Sequence, residues 1–294
     1  MKAINEAWCC QIELTNYCGH DCLYCSRYSK HIRKDQKYHM SLELLEEALI
    51  SLKDWPAKIG IIGGEPLRHP EFERCCKLIQ SKFPREKMGL WTSGGSRWSE
   101  LKSIIDKTFG FVAYNEHNKQ QQETCKHQPI TLSIFDLVPD VNLRDKLIND
   151  CWVQRTWCPT ITPKGAFFCE VAGALDIILD GKGGYDLTQN WWKRKPEDFQ
   201  DQVSRYCDLC GMAIPYQREL IENRIEKFSP TTFSLFKRLT LPCMEQEKVE
   251  IIIEQLDEIS INGNAKTWYP GNYRGDNQED ENSTEGKGST IFGN

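Results

Sequence analysis

Two apolar patterns alternate along the first half of the chain. "WCCQIELT" (8–15) is apolar at most positions and runs straight into a cysteine-rich loop, as a buried strand does. "SLELLEEALISLKDW" (41–55) places its apolar residues at helical spacing, with Ser41 as N-cap and Leu44 and Leu45 following. "KIGIIGG" (58–64) predicts a strand ending in glycines, and "HPEFERCCKLIQSKF" (69–83) a helix. "MGLWTSGG" (88–95) predicts a strand ending in small residues, "SELKSIIDKTF" (99–109) a helix and "GFVAYNEH" (110–117) a strand. "ITLSIFDLV" (130–138) reads as the next strand and "DVNLRDKLIND" (140–150) as the next helix. Strand, loop and helix repeated about five times implies parallel β/α units, which suit a partial barrel and a doubly wound sheet equally well. In either architecture function sits on loops at the carboxyl ends of the strands. The cysteine loop, "GGEP" (63–66) and "TSGG" (92–95) all fall there.

The pattern changes after Cys151. "RTWCPTITPKGAFFCEVAGALD" (155–176) predicts a hairpin turning at Pro163, Lys164 and Gly165. "YCDLCGMAIPYQ" (206–217) supplies a CxxC, and two helices are expected around 216–228 and 244–260. The Gly-, Asn-, Asp- and Glu-rich end is expected to be disordered. The resulting division is a core over 1–150, a cysteine-rich region with C-terminal helices over 151–262, and an acidic tail over 263–294.

Composition narrows the setting. Of 294 residues 39% are hydrophobic and 11% aromatic, enough for a large core. No apolar run approaches the ~18 residues of a membrane span, and "MKAINEAWCCQIEL" lacks a signal-peptide apolar region. The expectation is a cytoplasmic protein with no membrane partner. Under reducing conditions fourteen cysteines point to metal binding or redox chemistry rather than disulfides. The net charge is -5, of which residues 270–294, with five acidic and two basic side chains, supply -3. It offers no footprint for nonspecific nucleic-acid binding, though a local basic groove is compatible with it.

The chemistry begins at "TNYCGHDCLYCSR" (15–27), where Cys18, Cys22 and Cys25 stand as CxxxCxxC. Three thiolates can hold three corners of a cubic iron–sulfur cluster and leave one iron open. Zinc would need a fourth ligand, and His20 lies strained inside the loop. Neither zinc nor plain buried cysteines explain the spacing. Cys158, Cys169, Cys207 and Cys210 form a second set. Four thiols can close either a second [4Fe–4S] cluster or a zinc site, and Cys151 can replace one of the four.

CxxxCxxC with Tyr24 before its last cysteine resembles the radical S-adenosylmethionine (SAM) superfamily, and the resemblance covers roughly residues 8–150. It implies a partial (β/α)6 TIM-type barrel whose three-cysteine [4Fe–4S] cluster binds S-adenosyl-L-methionine at the open iron. Reductive cleavage of SAM then gives a 5′-deoxyadenosyl radical that takes a hydrogen atom from substrate, with flavodoxin or ferredoxin as electron donor. Gly63, Gly64, Glu65 and Pro66 resemble the family motif that meets the SAM amino group. Glycines allow close backbone approach, and a carboxylate complements an ammonium. Thr92 and Ser93 correspond to polar residues near the SAM ribose or carboxylate, and Tyr24 to a wall beside the adenine. The second cysteine set resembles the small auxiliary-cluster domain called twitch, a trimmed SPASM domain.

The remaining cysteines carry plainer expectations. Cys9 and Cys10 belong to a buried strand and Cys75 and Cys76 to a helix. Cys125 has no evident partner, and Cys243 has the position of a hydrogen-atom donor in some radical SAM epimerases. Trp191 and Trp192, beside Lys193, Arg194 and Lys195, read as a packing loop. Substrate identity stays open between three classes. A small polar molecule undergoing dehydrogenation, epimerisation or isomerisation stands first, which makes the enzyme an oxidoreductase or isomerase. An amino-acid-modified nucleotide or DNA base, as in phage thymidine hypermodification, and a peptide or protein are the others. A metal-binding module is the non-enzymatic reading, against which the intact CxxxCxxC and "GGEP" argue.

Overall fold

A computed structural model describes residues 1–114, 126–127, 130–156, 159–215, 219–220, 225–245 and 249–265. Its centre is β1 (Cys9–Thr15), in which every residue is buried. Cys10, Ile12 and Leu14 enter the main hydrophobic cluster, and the intervening residues face the other side of the sheet. Helix α1 (Leu42–Ser51) starts at Ser41, whose hydroxyl accepts from the Leu44 N–H at 3.2 Å. It buries Leu45, Ala48 and Leu49, one helical stripe. β2 (Lys58–Gly63), α2 (Phe72–Lys82), β3 (Met88–Thr92), α3 (Trp98–Thr108) and β4 (Phe111–Tyr114) repeat the unit. The four strands are parallel and ordered β4-β3-β2-β1.

From residue 130 onward the described residues leave the repeat. The strand predicted over 130–138 is instead a short helix, Ile134–Leu137, packed in a second, smaller cluster with Ile148, Ile214 and Leu256. A short run that is apolar throughout has no periodicity to separate a buried strand from a buried helix. Ser133 settles the local geometry: its hydroxyl donates to the Asp208 carbonyl at 2.6 Å, and its N–H to the Ser229 hydroxyl at 2.9 Å. The helix at Val141–Asn149 forms as expected, capped by the Asp140 side chain.

The hairpin is present and returns the chain to the centre of the sheet. β5 (Thr160–Thr162) pairs in parallel with β1, on the edge of β1 opposite β2. β6 (Gly165–Phe167) runs back antiparallel through the Pro163–Lys164 turn, with Gly165 at φ +108°. Among the described residues the result is one mixed six-stranded sheet, β4-β3-β2-β1-β5-β6, whose four sequential β/α strands are consistent with part of a barrel. The helix that follows, Glu170–Ile178, is buried along its whole length. Trp191 and Trp192 pack away from the cysteines. Both indoles donate to Ser51 at the end of α1, and Trp192 meets Trp55 edge to face. Among the described residues no helix is long and apolar enough to cross a membrane.

Of the helices expected around 216–228 and 244–260, residues 216–218, 221–224 and 246–248 lie outside the described residues, and the described parts differ from the expectation. Glu226–Phe228 and Val249–Ile251 are short parallel strands, and helices lie at Pro230–Arg238 and Glu258–Ala265. The 226–228 strand is extended because it is bound along its length by the first cysteine loop. Glu226, 2% exposed, pairs with Lys30 at 2.6 Å and His31 at 3.4 Å. It also accepts from the Tyr24 N–H at 3.2 Å, while the Lys227 N–H donates to the Tyr24 hydroxyl at 2.9 Å. Of the predicted tail, residues 266–294 lie outside the described residues.

Burial alone would raise the Glu226 carboxyl. The charges and hydrogen bonds of His31 and Lys30 outweigh it and lower the group from 4.5 to about 2. Its contribution to stability is therefore complete above pH 4.5 and is lost as pH falls from there to about 2. Glu226→Gln should cost about 3 kcal/mol at neutral pH, because it strands the buried Lys30 ammonium. The gap between variant and wild type should narrow in denaturant titrations at about pH 2.5. An unchanged gap at both pH values would mean that the ion pair is not its source.

Candidate functional site

The cysteine loop leaves the carboxyl end of β1 under tight control. Asn16 is fully buried, and its amide donates to the Gln36 carbonyl at 2.8 Å and accepts from the Tyr38 N–H at 2.9 Å. Lys37 clasps both ends of the loop, donating to the Asn16 carbonyl at 3.4 Å and the Ser29 carbonyl at 3.1 Å. Cys18, Cys22 and Cys25 are half-buried. Burial pushes the Cys18 thiol up to about 11, against the lowering effects of the His20 N–H and Lys37. That N–H stands 3.4 Å from the Cys18 sulfur. Backbone donors aimed at sulfur are among the features that tune iron–sulfur clusters. Tyr24 and Tyr28 take left-handed backbone, φ 54° and 51°, as the chain turns. Tyr24 is 3% exposed and tied to the 226–228 strand, and it does not line the cleft described below.

"GGEP" meets this loop through backbone. The Gly64 N–H donates to the Thr15 carbonyl and the Glu65 N–H to the Tyr17 carbonyl, both at 2.8 Å. A Cβ on Gly63 would stand 2.2 Å from the Thr15 oxygen, and one on Gly64 2.6 Å from the Tyr17 oxygen. These glycines thus admit the root of the cysteine loop, where the sequence suggested approach of a ligand. Pro66 opens a 3-10 turn that Glu65 caps. The Glu65 carboxylate is buried and saturated. It accepts from the Leu67 N–H at 3.1 Å, the Thr92 hydroxyl at 2.5 Å, the Ser93 N–H at 2.7 Å and the Ser93 hydroxyl. Because the Ser93 proton goes to Glu65, Ser93 Oγ accepts from His20 Nε2 at 2.9 Å. His20, which the sequence left without a role, is therefore joined to Glu65 through one hydroxyl.

A cleft of about 400 Å³ opens between the three loops, walled by Gly19, His20, Glu65, Arg68, Gly95 and Arg97. The Arg97 guanidinium is fixed on the Leu67 and His69 carbonyls at 3.0 and 3.2 Å. The Arg68 guanidinium lies over Gly19, where an added Cβ would meet it at 2.6 Å. Neither arginine was singled out from sequence. Arg68 stands three residues past Glu65, and that proximity was its one signal.

The second set gathers behind the hairpin. Cys151, Cys169, Cys207 and Cys210 line one cavity of about 30 Å³ with apolar walls that include Phe168 and Leu175. Burial raises all four thiols, Cys210 to about 12, and each lies within the field of others of the set. Backbone N–H groups again point at sulfur: Gln154 and Val153 at Cys151, Ala172 at Cys169, and Met212 at Cys210. Cys158 lies outside the described residues, as does Cys125. Among the described residues, no three His, Cys, Asp or Glu side chains converge on a single metal ion. A four-iron cluster puts each thiolate on a different iron, so its ligands stand further apart. The thiol-only donor sets and the N–H donors fit such a cluster at both places, and the second has apolar walls as well. Cys243 is buried next to Glu226 and Lys30, its thiol pushed up to about 12 chiefly by burial. Cys9, Cys10, Cys75 and Cys76 are core residues.

No curated protein matches the sequence. The chain is similar to the crystal structure of BtrN in complex with AdoMet and 2-DOIA, at 15% identity and a TM-score of 0.43, over 69% of this chain and 92% of that one. Selenomethionine BtrN in an open conformation gives 14% identity and a TM-score of 0.41, over 70% and 86%. The family model described as the radical SAM superfamily matches residues 12–113, from β1 through β4. That match takes in the CxxxCxxC loop and the "GGEP" turn that packs on it.

Proposed function

We propose that this protein is a radical SAM enzyme acting on a small polar substrate, by dehydrogenation, epimerisation or isomerisation. The carrying observation is that three loops at neighbouring strand ends are locked into one unit. The CxxxCxxC loop, "GGEP" and "TSGG" meet through the Glu65 carboxylate, Ser93 and His20. Cys18, Cys22 and Cys25 would hold a [4Fe–4S] cluster, and Cys151, Cys169, Cys207 and Cys210 a second one. Residues 1–150 would then form the core and 151–262 the auxiliary region, the two sharing one sheet through β5. A flavodoxin or ferredoxin would supply the electron. When bound, the first cluster and SAM supply one-electron cleavage of a carbon–sulfur bond, and the radical so released removes hydrogen from substrate.

The chain's own residues set the stage for that chemistry. Lys37 fixes both ends of the ligand loop and brings a positive charge to a site of thiolates. Glu65 keeps "GGEP" and "TSGG" at one spacing, and its negative charge faces the side of the cleft expected to take the SAM ammonium, with Thr92 and Ser93 beside it. Arg68, across the cleft, suits a carboxylate. The 226–228 strand covers Tyr24 and keeps water from the far side of the loop. The contact of Tyr24 with adenine expected from the resemblance would need that strand to shift.

Anaerobically purified protein should carry about eight irons per chain. Cys151→Ala should reduce this to about four, whereas Cys158→Ala should leave it near eight. The reverse outcome would restore Cys158 to the ligand set. Reduced protein given SAM should release 5′-deoxyadenosine, and alanine at Cys18, Cys22 or Cys25 should abolish the release. Turnover that survives those changes would remove the proposed site.

Ser93→Ala tests the lock itself. It removes one donor to Glu65 and the acceptor for His20 while leaving the strands untouched. In the metal-free protein, alkylation of Cys18 and Cys22 should become several-fold faster at unchanged far-UV circular dichroism. Equal rates would show that the loop is held by other contacts.

A further inference from the structure

Tyr28 stands just past the last cysteine of the first loop and is 1% exposed. Its backbone is left-handed, φ 51°, where a bulky side chain is strained and a glycine is not. Such strain persists only where the surroundings hold it, and it gathers at functional positions. The contacts that hold Tyr28 run in two directions. Toward the first cysteine set, its N–H donates to the Cys25 carbonyl at 2.8 Å. Toward the second, its hydroxyl donates to the Ile130 carbonyl at 3.2 Å, and the same carbonyl accepts from the Gly211 N–H at 3.3 Å. Gly211 follows Cys210 directly, and Tyr28, Ile130 and Gly211 are all buried. One aromatic side chain and one shared carbonyl therefore join Cys25 to Cys210 through the interior.

Both ends of this link are fixed. The Tyr28 ring packs on His31 and Phe236, with centroids 5.7 and 6.1 Å away. At the other end the Ser133 hydroxyl binds the Asp208 carbonyl, so the CxxC turn and the segment from Ile130 to Ser133 move as one. Burial raises the Tyr28 phenol well above its ordinary value, and Cys210, Glu226, Cys25 and Cys169 push it the same way. Thiols of both sets thus lie within the field of one phenol, which keeps its proton. A second link between the sets runs from Arg27 to the Glu170 carbonyl. That link passes through saturated methylenes, whereas a ring offers π orbitals, which mediate electron exchange better than σ bonds.

We propose that Tyr28 is the electronic contact between the two cysteine sets, and that an electron passes between bound clusters by way of its ring, the Ile130 carbonyl and the Gly211 amide. This rests on the reading that both sets hold [4Fe–4S] clusters. The step is a one-electron exchange: one cluster is oxidised by one electron and the other reduced by one. No bond forms or breaks and no proton moves. Tyr28 is a medium in this account and is not itself oxidised.

The test compares the full, iron-loaded chain with Tyr28→Phe, which keeps the ring and its packing and removes the bond to Ile130. SAM is left out, so that no cleavage consumes the electron. A light flash on 5-deazaflavin, with EDTA as sacrificial reductant, delivers less than one electron per chain. Freeze-quenched electron paramagnetic resonance then follows the two reduced clusters, whose signals are assigned from Cys18→Ala and Cys151→Ala proteins. Wild type should show redistribution between the signals at a rate independent of protein concentration. In Tyr28→Phe that rate should fall several-fold. Its iron should stay at about eight per chain, and the magnetic interaction between the fully reduced clusters, which reports their separation, should be unchanged. Equal rates, or no concentration-independent phase in wild type, would overturn the contact. A slower rate with an altered magnetic interaction, or loss of a cluster from the variant, would overturn it in favour of a purely structural Tyr28. Wild type holding about four irons would remove the two-cluster reading and the contact with it, whereas about eight irons with equal rates would remove the contact alone.

Discussion

The site is held together by one buried guanidinium. Arg27, two residues beyond Cys25 and 4% exposed, turns back to the Glu13 carboxylate on the central strand. Its other nitrogen donates to the Glu170 carbonyl at 3.2 Å and lies 3.7 Å from the Glu170 carboxylate. Glu170 follows Cys169 directly. A single side chain therefore ties the first ligand loop to β1 and to the helix that starts at the second cysteine set. Desolvating a guanidinium and two carboxylates is costly, and such a group is retained only where its geometry is well satisfied. Here the Tyr38 hydroxyl completes Glu13. The arrangement defines the relative position of the two cysteine sets more than it stabilises the chain.

The glycines and the acid of "GGEP" illustrate how motif residues serve the fold before they serve a ligand. Gly63 and Gly64 let two loop backbones come within hydrogen-bonding distance. Glu65 is bound on both oxygens by protein donors, and it still forms part of the cleft wall. A carboxylate so fully held does not swing, and a held charge loses little on meeting a ligand.

The four β/α units were legible because each carries a clear periodicity and ends in glycine or small residues. Their loops shared one end of the sheet by strand order alone, and the three-cysteine spacing was plain without any structure. Other features depended on contacts between residues far apart in sequence. The apolar run at 130–138 is a helix because Ser133 is bound by segments 75 and 96 positions away. The strand at 226–228 forms against Lys30, His31 and Tyr24, none of which local pattern connects to it. Cys151 lies with Cys169, Cys207 and Cys210 around one cavity, a proximity that spacing in the sequence did not reveal.

The strand that covers Tyr24 has a consequence for biosynthesis. Tyr24 and Glu226 are separated by 202 positions. At typical elongation rates of about 5–20 residues per second, the cysteine loop leaves the ribosome roughly 10–40 s before its cover exists. Through that interval Lys30 and His31 lack their buried carboxylate partner, and the loop is open to solvent on its far side. The cysteine loop is thus made well before its cover, and it is enclosed on that side only when the 226–228 strand docks.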